Sequence, residues 1–357
     1  MATAENTVRR KKEIYLEILR IFSTFLVLYI HTNNRGFAYF TVARESIFFP
    51  VYLFCSVFSK IAVPTFFMIS GALLLKKDEP IRIVYQKRVF RIFLVLLLCS
   101  IAAYVLRTDR AELSLSFFLQ KFYSSNLATP YWYLYAYLGY LVMLPFLRKL
   151  SRTMQPVDYA YMTGIMLVLS LLKIFEFWTT GYSVHLNPNF DVFTTVTAVY
   201  YPLMGDFLAN KLHLSDLTPK KVWLWAAAGL LGIAVCGWMT CVWCNYLGEW
   251  KESTCQTFMN ILIFLPVCTV FLCTRLLCAK LPPMPLFEKA VTFIGAQAFG
   301  IYLFEWLYRQ ETRFVFDYLK NHIPTFLACM VWIFCAFLLG FAVTLVIRKI
   351  PGLKKLL

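Results

Sequence analysis

The chain has 357 residues, of which 60% are hydrophobic and 15% charged, against about a quarter charged in an ordinary soluble domain. That leaves too little polar sequence to coat a soluble core, which excludes a soluble enzyme, a disordered chain and a fibrous repeat. The net charge of +16 is spread in short clusters between apolar runs, so a nucleic-acid binder with one basic stripe is excluded too.

A bilayer core takes about 20 apolar residues per helix. By that measure the sequence predicts ten spans, at 14–32, 48–75, 89–106, 131–148, 157–175, 193–210, 222–246, 257–279, 291–308 and 324–347. The runs lack period-2 alternation, so a membrane β-barrel does not fit. Lys60 and Pro64 interrupt the second span and predict a kink or a steep tilt there. With the N-terminus in the cytoplasm, 23 basic residues fall on inner segments and nine on outer ones, while Arg20, Lys60 and Lys173 fall within spans. The inner set includes Arg9, Arg10, Lys11 and Lys12, and the outer set includes Arg110. Both termini are therefore expected inside, in a multi-pass protein of the plasma or inner membrane. The expected architecture is an all-α integral membrane bundle of about ten helices. It forms one domain over 1–357, with a basic N-terminus 1–13, a basic tail 348–357 and no appended soluble domain. The first apolar run is too long for a cleaved signal peptide and lacks a small-residue cleavage site, so it is read as a retained helix. Most of the 11 cysteines lie within apolar runs and read as small hydrophobes. Cys241 and Cys244 have no second pair and no nearby His, so no metal site is expected. Cys244 and Cys255 flank a short outer loop that a disulfide could bridge.

Ionisable residues inside a span cost free energy and so draw attention. The first span, EILRIFSTFLVLYIHT, carries Glu17, Arg20 and His31. Arg20 and His31 are eleven residues apart, which is three helical turns plus about 20°, so they share a face about 16 Å apart along the axis. Glu17 and Arg20 can pair at i, i+3. The imidazole suits a general base, although interfacial snorkelling would also account for these charges. The second span ends PTFFMISGALLLKK, where Ser70-Gly71 reads as a close helix contact or as the lining of an acyl channel. Lys87, Arg88 and Arg91 follow in IRIVYQKRVFRIF, either as membrane anchors or as ligands for the phosphates of an anionic donor. The fourth span opens PYWYLYAYLGYLVMLP, and Trp132, Tyr133, Tyr135 and Tyr137 read as an interfacial aromatic belt or as a platform for sugar rings. The ninth span, TFIGAQAFGIYLFEWL, brings Tyr302 and Glu305 to a depth like that of His31. Glu305 could orient or charge-stabilise the imidazole, or simply face the outer interface beside Trp306. Lys60, Lys173 and Asp206 receive no role.

Together these segments resemble the acyltransferase 3 family of bacterial membrane acyltransferases. EILRIFSTFLVLYIHT is similar to its Arg-x10-His segment, with Arg20 and His31 in the matching places. TFFMISGALLL resembles its FF-x-x-SG stretch and YQKRVFRIF the basic segment after it. YWYLYAYLGYLVMLP, VYYPLMGDFLA and FGIYLFEWL resemble its later landmarks. The likeness runs over nearly the whole chain. Two positions depart from the family's pattern. Glu17 stands where Asp is commoner, and Glu305 stands where many members have His. The resemblance implies transfer of an acyl group, usually acetyl, from cytoplasmic acyl-CoA to a hydroxyl of a carbohydrate or lipid-linked glycan. It implies His31 as catalytic base, with Arg20, Glu17 and Glu305 in support, and Arg88, Arg91, Lys87 and Ser70 on the CoA side. Trp132, Tyr135 and Tyr302 are then the candidate acceptor contacts. Direct transfer and an acyl-histidine intermediate both stay open, and so does a homodimer. The competing class is a proton-coupled carrier or flippase, which intramembrane Glu, Arg, Lys and His would also suit. Against it, the sequence has no inverted repeat and no matched pair of interrupted spans.

Overall fold

The computed structural model describes residues 2–109, 113–187, 190 and 192–356, with no side chains described for 2–13, 194 and 355. Arg110 lies outside the described residues, as do the side chains of Arg9, Arg10, Lys11, Lys12 and Lys355. The described chain is helical throughout, joined by short turns, with no strand among the described residues. In chain order the helices are α1 (Ala2–Ile30), α2 (Phe49–Ser59), α3 (Ala62–Leu74), α4 (Ile81–Arg107), α5 (Leu115–Ser124), α6 (Trp132–Thr153), α7 (Pro156–Thr180) and α8 (Thr197–Asp206). They continue with α9 (Pro219–Leu247), α10 (Glu252–Met259), α11 (Phe264–Lys280), α12 (Pro285–Leu303), α13 (Glu305–Glu311), α14 (Arg313–Leu319) and α15 (Thr325–Ile347).

Five stretches are long and apolar enough to cross a bilayer: Phe49–Leu74, which joins α2 to α3, together with α4, α7, α9 and α15. Two bent pairs, α10–α11 at 70° and α12–α13 at 84°, raise the number to seven if each counts as one span. The predicted spans 14–32, 131–148 and 193–210 fall instead on α1, α6 and α8. α1 carries Glu17 and Arg20, α6 spends much of its length on tyrosines, and α8 is only ten residues long. α1 and α8 are interior, whereas α6 is covered on one side only, with Val142 and Phe146 exposed. Val199–Asp206 of α8 is buried throughout, and α1 is enclosed by α3, α11, α12 and α15. A helix sheathed by its neighbours need not be apolar enough to face lipid. At the other extreme, α7 buries only 17% of its most apolar stretch, against 67% for Phe49–Leu74. Its exposed Val168, Phe175 and Trp178 suit a lipid-facing side.

The closest helix contact in the interior is α3 on α8. A Cβ added at Gly71 would run into the backbone of Pro202, and one added at Gly205 into the backbone of Met68. Two glycines thus let the two backbones touch, as small residues do between membrane helices. Asp206 ties this contact to α6: it accepts from Ser151 Oγ at 2.5 Å and from Asn210 Nδ2 at 2.7 Å, while Asn210 also donates to Ala72 O at 2.9 Å. Lys173 is exposed on α7. The thiols of Cys244 and Cys255 lie 3.1 Å apart between α9 and α10.

Three helix interruptions converge on one side of the bundle: Lys60–Ile61 between α2 and α3, Asn260–Ile263 between α10 and α11, and Phe304 between α12 and α13. The first is the kink expected from Lys60 and Pro64. The breaks at α10–α11 and α12–α13 were not anticipated. Irregular backbone at membrane depth is tolerated where it lines a cavity.

Candidate active site

His31 sits just past the end of α1, its amide still bonded to Val27 O at 3.2 Å. The helix stops there because the chain turns sharply. Thr32 Oγ donates to Tyr29 O at 2.7 Å and accepts from Phe37 N at 2.9 Å, and Asn33 takes a left-handed φ of 52°, a conformation Asn adopts more readily than most residues. The imidazole therefore has a fixed root.

Glu305 reaches it across the α12–α13 bend. His31 Nδ1 lies 3.0 Å from Glu305 Oε1, and the carboxylate is fully buried. The pair is close but obliquely aligned, so neither atom makes a well-directed hydrogen bond. On its other side Glu305 Oε2 lies 3.3 Å from Arg309 Nε. The result is a His31–Glu305–Arg309 chain. A carboxylate at Nδ1 favours the proton on that nitrogen, leaving Nε2 with the lone pair a general base needs. Nearby, Trp306 Nε1 donates to Tyr131 OH at 3.2 Å, Tyr131 OH donates to Leu303 O at 3.1 Å, and Arg107 lies 4.2 Å from the Trp306 ring centre.

His31 opens onto a cavity of about 530 Å³, which Lys60, Trp132, Glu252, Gln256 and Asn260 also line. A second cavity of about 430 Å³ is lined by Arg20, Ser70, Arg88, Arg91, Tyr137 and Arg348. Phe66, Tyr133 and Tyr302 belong to both. Their rings form a collar, with Phe66 and Tyr133 centred 6.0 Å apart and Tyr133 edge-on to Tyr302 at 5.5 Å. Tyr302 OH donates to Pro130 O, fixing one side of it. An arginine-lined chamber and an imidazole-lined chamber thus meet at three aromatic side chains.

A family model described as an acyltransferase domain matches residues 13–349. The chain belongs to the acyltransferase 3 family. No curated protein and no solved structure matches it.

Several residues singled out from the sequence come together in this acyltransferase. His31 and Glu305 are in contact, and Arg20, Ser70, Arg88 and Arg91 share one chamber. Glu17 pairs with Arg20 at 2.6 Å and packs against Gly295. Trp132 lines the His31 chamber, and Tyr302 lines both. Two do not join them. Lys87 is exposed beside Arg88, and Tyr135 donates to Phe122 O at 2.6 Å, away from either chamber.

The arginines of the acyltransferase are already held. Arg88 donates to both oxygens of Glu79, at 3.0 and 2.6 Å, and Arg148 donates to the same carboxylate at 2.8 Å. The hydrogen bonds from Arg88 lead in pulling the Glu79 carboxyl down to about 2, with Arg148 adding to them against the opposing effect of burial. Arg91 donates to Leu356 O at 3.2 and 3.1 Å. Arg348 donates to Gln297 Oε1 at 2.9 Å and Ala296 O at 3.2 Å. The sequence reading passed over Arg309 and Arg348. Arg309 stands four residues after Glu305, a spacing that signals a helical ion pair. Arg348 closes the last span on the same side as Arg88 and Arg91, which is the only cue the sequence offers.

Proposed function

We propose that this acyltransferase moves an acyl group, acetyl in the simplest case, from cytoplasmic acyl-CoA to a hydroxyl of a cell-surface or exported carbohydrate. It does so as a ten-span protein of the plasma membrane with both termini in the cytoplasm. The observation that carries the reading is the pair of chambers joined at Phe66, Tyr133 and Tyr302, one basic and one holding His31.

Arg88, Arg91 and Arg348 receive the donor's phosphates, each exchanging a protein partner for a phosphate oxygen. Its thin pantetheine arm enters the aromatic collar and brings the thioester toward His31. His31 takes the proton from the acceptor hydroxyl as that oxygen attacks the thioester carbonyl. Glu305 stabilises the imidazolium so formed, and Arg309 pairs with the other oxygen of Glu305. Collapse of the intermediate expels CoA thiolate, which takes up a proton, and leaves the acyl ester. A carrier is the second reading, favoured by three interrupted helices around one cavity.

His31→Ala separates the two in membranes given labelled acetyl-CoA. Transfer of label falls by at least about a hundredfold, while binding of CoA is retained. Unchanged label transfer in the variant, or flux of an intact solute with no acetyl movement in the parent, overturns the proposal.

A further inference from the structure

Lys60 and Lys173 are intramembrane cations that the acyl-transfer reading leaves without a task, and of the two only Lys60 faces a cavity. It stands at the break between α2 and α3, half-buried, with its side chain lining the same cavity as His31. Three cations in this bundle are matched by carboxylates, Arg20 by Glu17, Arg148 by Glu79 and Arg309 by Glu305, while Lys211 and Arg275 are each held by two backbone carbonyls. Among the described residues Lys60 makes no ion pair. Its Nζ donates to Gln256 Oε1 at 3.0 Å and lies 4.7 Å from the Phe37 ring centre. The nearest compensation is indirect. Gln256 Nε2 reaches Glu252 Oε1 at 3.4 Å, so a neutral amide stands between the two charges, and all three side chains face the cavity. A lysine at membrane depth is costly without an anion, and here the anion's place is open space beside the catalytic imidazole.

We infer that Lys60 is an acceptor subsite for an oxyanion, so that the acyltransferase acts on an acidic glycan, one bearing a carboxylate or a phosphate near the hydroxyl to be acylated. The inference rests on the acyl-transfer reading and names its acceptor class. The ammonium supplies the point charge, and the Asn33 and Asn260 amides on the same lining offer neutral hydrogen bonds around it. Trp132 and Tyr133 provide ring faces for the sugar itself. A volume of about 530 Å³ lies within the range of small-ligand pockets. Glu252 repels the same anion and sets how strongly charged an acceptor the chamber accepts. Lys60 and Glu252 therefore have opposite effects on one measurable ratio.

The test uses the full chain in membranes with labelled acetyl-CoA. The acceptors are a uronate-containing oligosaccharide, its carboxyl-reduced twin, and a matched glycan carrying phosphate diesters. The wild type is expected to favour an anionic acceptor over the neutral twin by at least about tenfold in kcat/KM, the scale of a charge-assisted hydrogen bond. Lys60→Met brings that ratio close to one by raising KM for the anionic acceptor, Lys60→Arg retains most of it, and Glu252→Gln increases it. Whichever of the carboxylate and phosphate arms shows the preference identifies the oxyanion. A wild type that prefers neither the uronate nor the phosphate glycan over the neutral twin sinks the subsite and leaves acyl transfer standing. So does a Lys60→Met variant that loses both twins alike without rescue by arginine. No label on any acceptor sinks the subsite and the glycan reading together.

Discussion

In the proposed mechanism the chemistry at His31 depends on the carboxylate behind it, because an imidazole that becomes charged in a poorly solvated chamber needs a fixed counter-charge. Glu305 supplies it, fully buried and 3.0 Å away, with Arg309 at its back. Glu305→Gln keeps the size and removes the charge. It is expected to lower kcat roughly a hundredfold with KM for acyl-CoA unchanged; an equal loss in both parameters would mean that Glu305 only holds the fold. His31, Arg20 and Glu305 could be picked out from sequence because charges stand out in apolar runs. The side facing a chamber was harder to read. Arg88 and Arg91 are three residues apart and share a face, whereas Lys87, next to Arg88, is turned toward solvent. Tyr133 and Tyr137 likewise share a face, four residues apart, and Tyr135 between them points elsewhere. Spacing within each motif carried this information. Membership in an aromatic or basic cluster did not.

Helices supply the site mainly where they break. The α2–α3, α10–α11 and α12–α13 interruptions bring Lys60, Asn260 and Glu305 to one cavity or its wall. The first could be anticipated from Lys60 and Pro64. The second has Pro266 just beyond it, as the first has Pro64, a cue the sequence reading missed; the third lacks a proline and depends on tertiary packing, which a local reading of hydropathy cannot see. For the same reason ten apolar runs were legible, while the interior placement of α1 and α8 was not. Beside the first break, α3 is fixed by its close contact with α8. Gly71→Ala pushes a methyl into the Pro202 backbone and is expected to cost about 1–3 kcal/mol, read as a lower melting temperature in detergent. Gly71→Leu should yield no folded protein. A Gly71→Leu variant that melts like the parent would refute the close contact.

For the whole molecule, the proposed orientation rests on the distribution of basic residues. Ser124 and Ser215 are both exposed, and the ten-span count assigns them to opposite sides. Ser124→Cys in intact cells is expected to react with a membrane-impermeant maleimide above the parent's background, and Ser215→Cys only after permeabilisation. The reverse pattern would invert the assignment of the arginine chamber to the cytoplasm.

Two chambers that meet without a wide bore have a consequence for the proposed reaction. The contact of Phe66, Tyr133 and Tyr302 leaves the proposed donor only a narrow place to pass, which suits a slender, uncharged arm and not a hydrated ion, so acyl transfer across it need not open a leak.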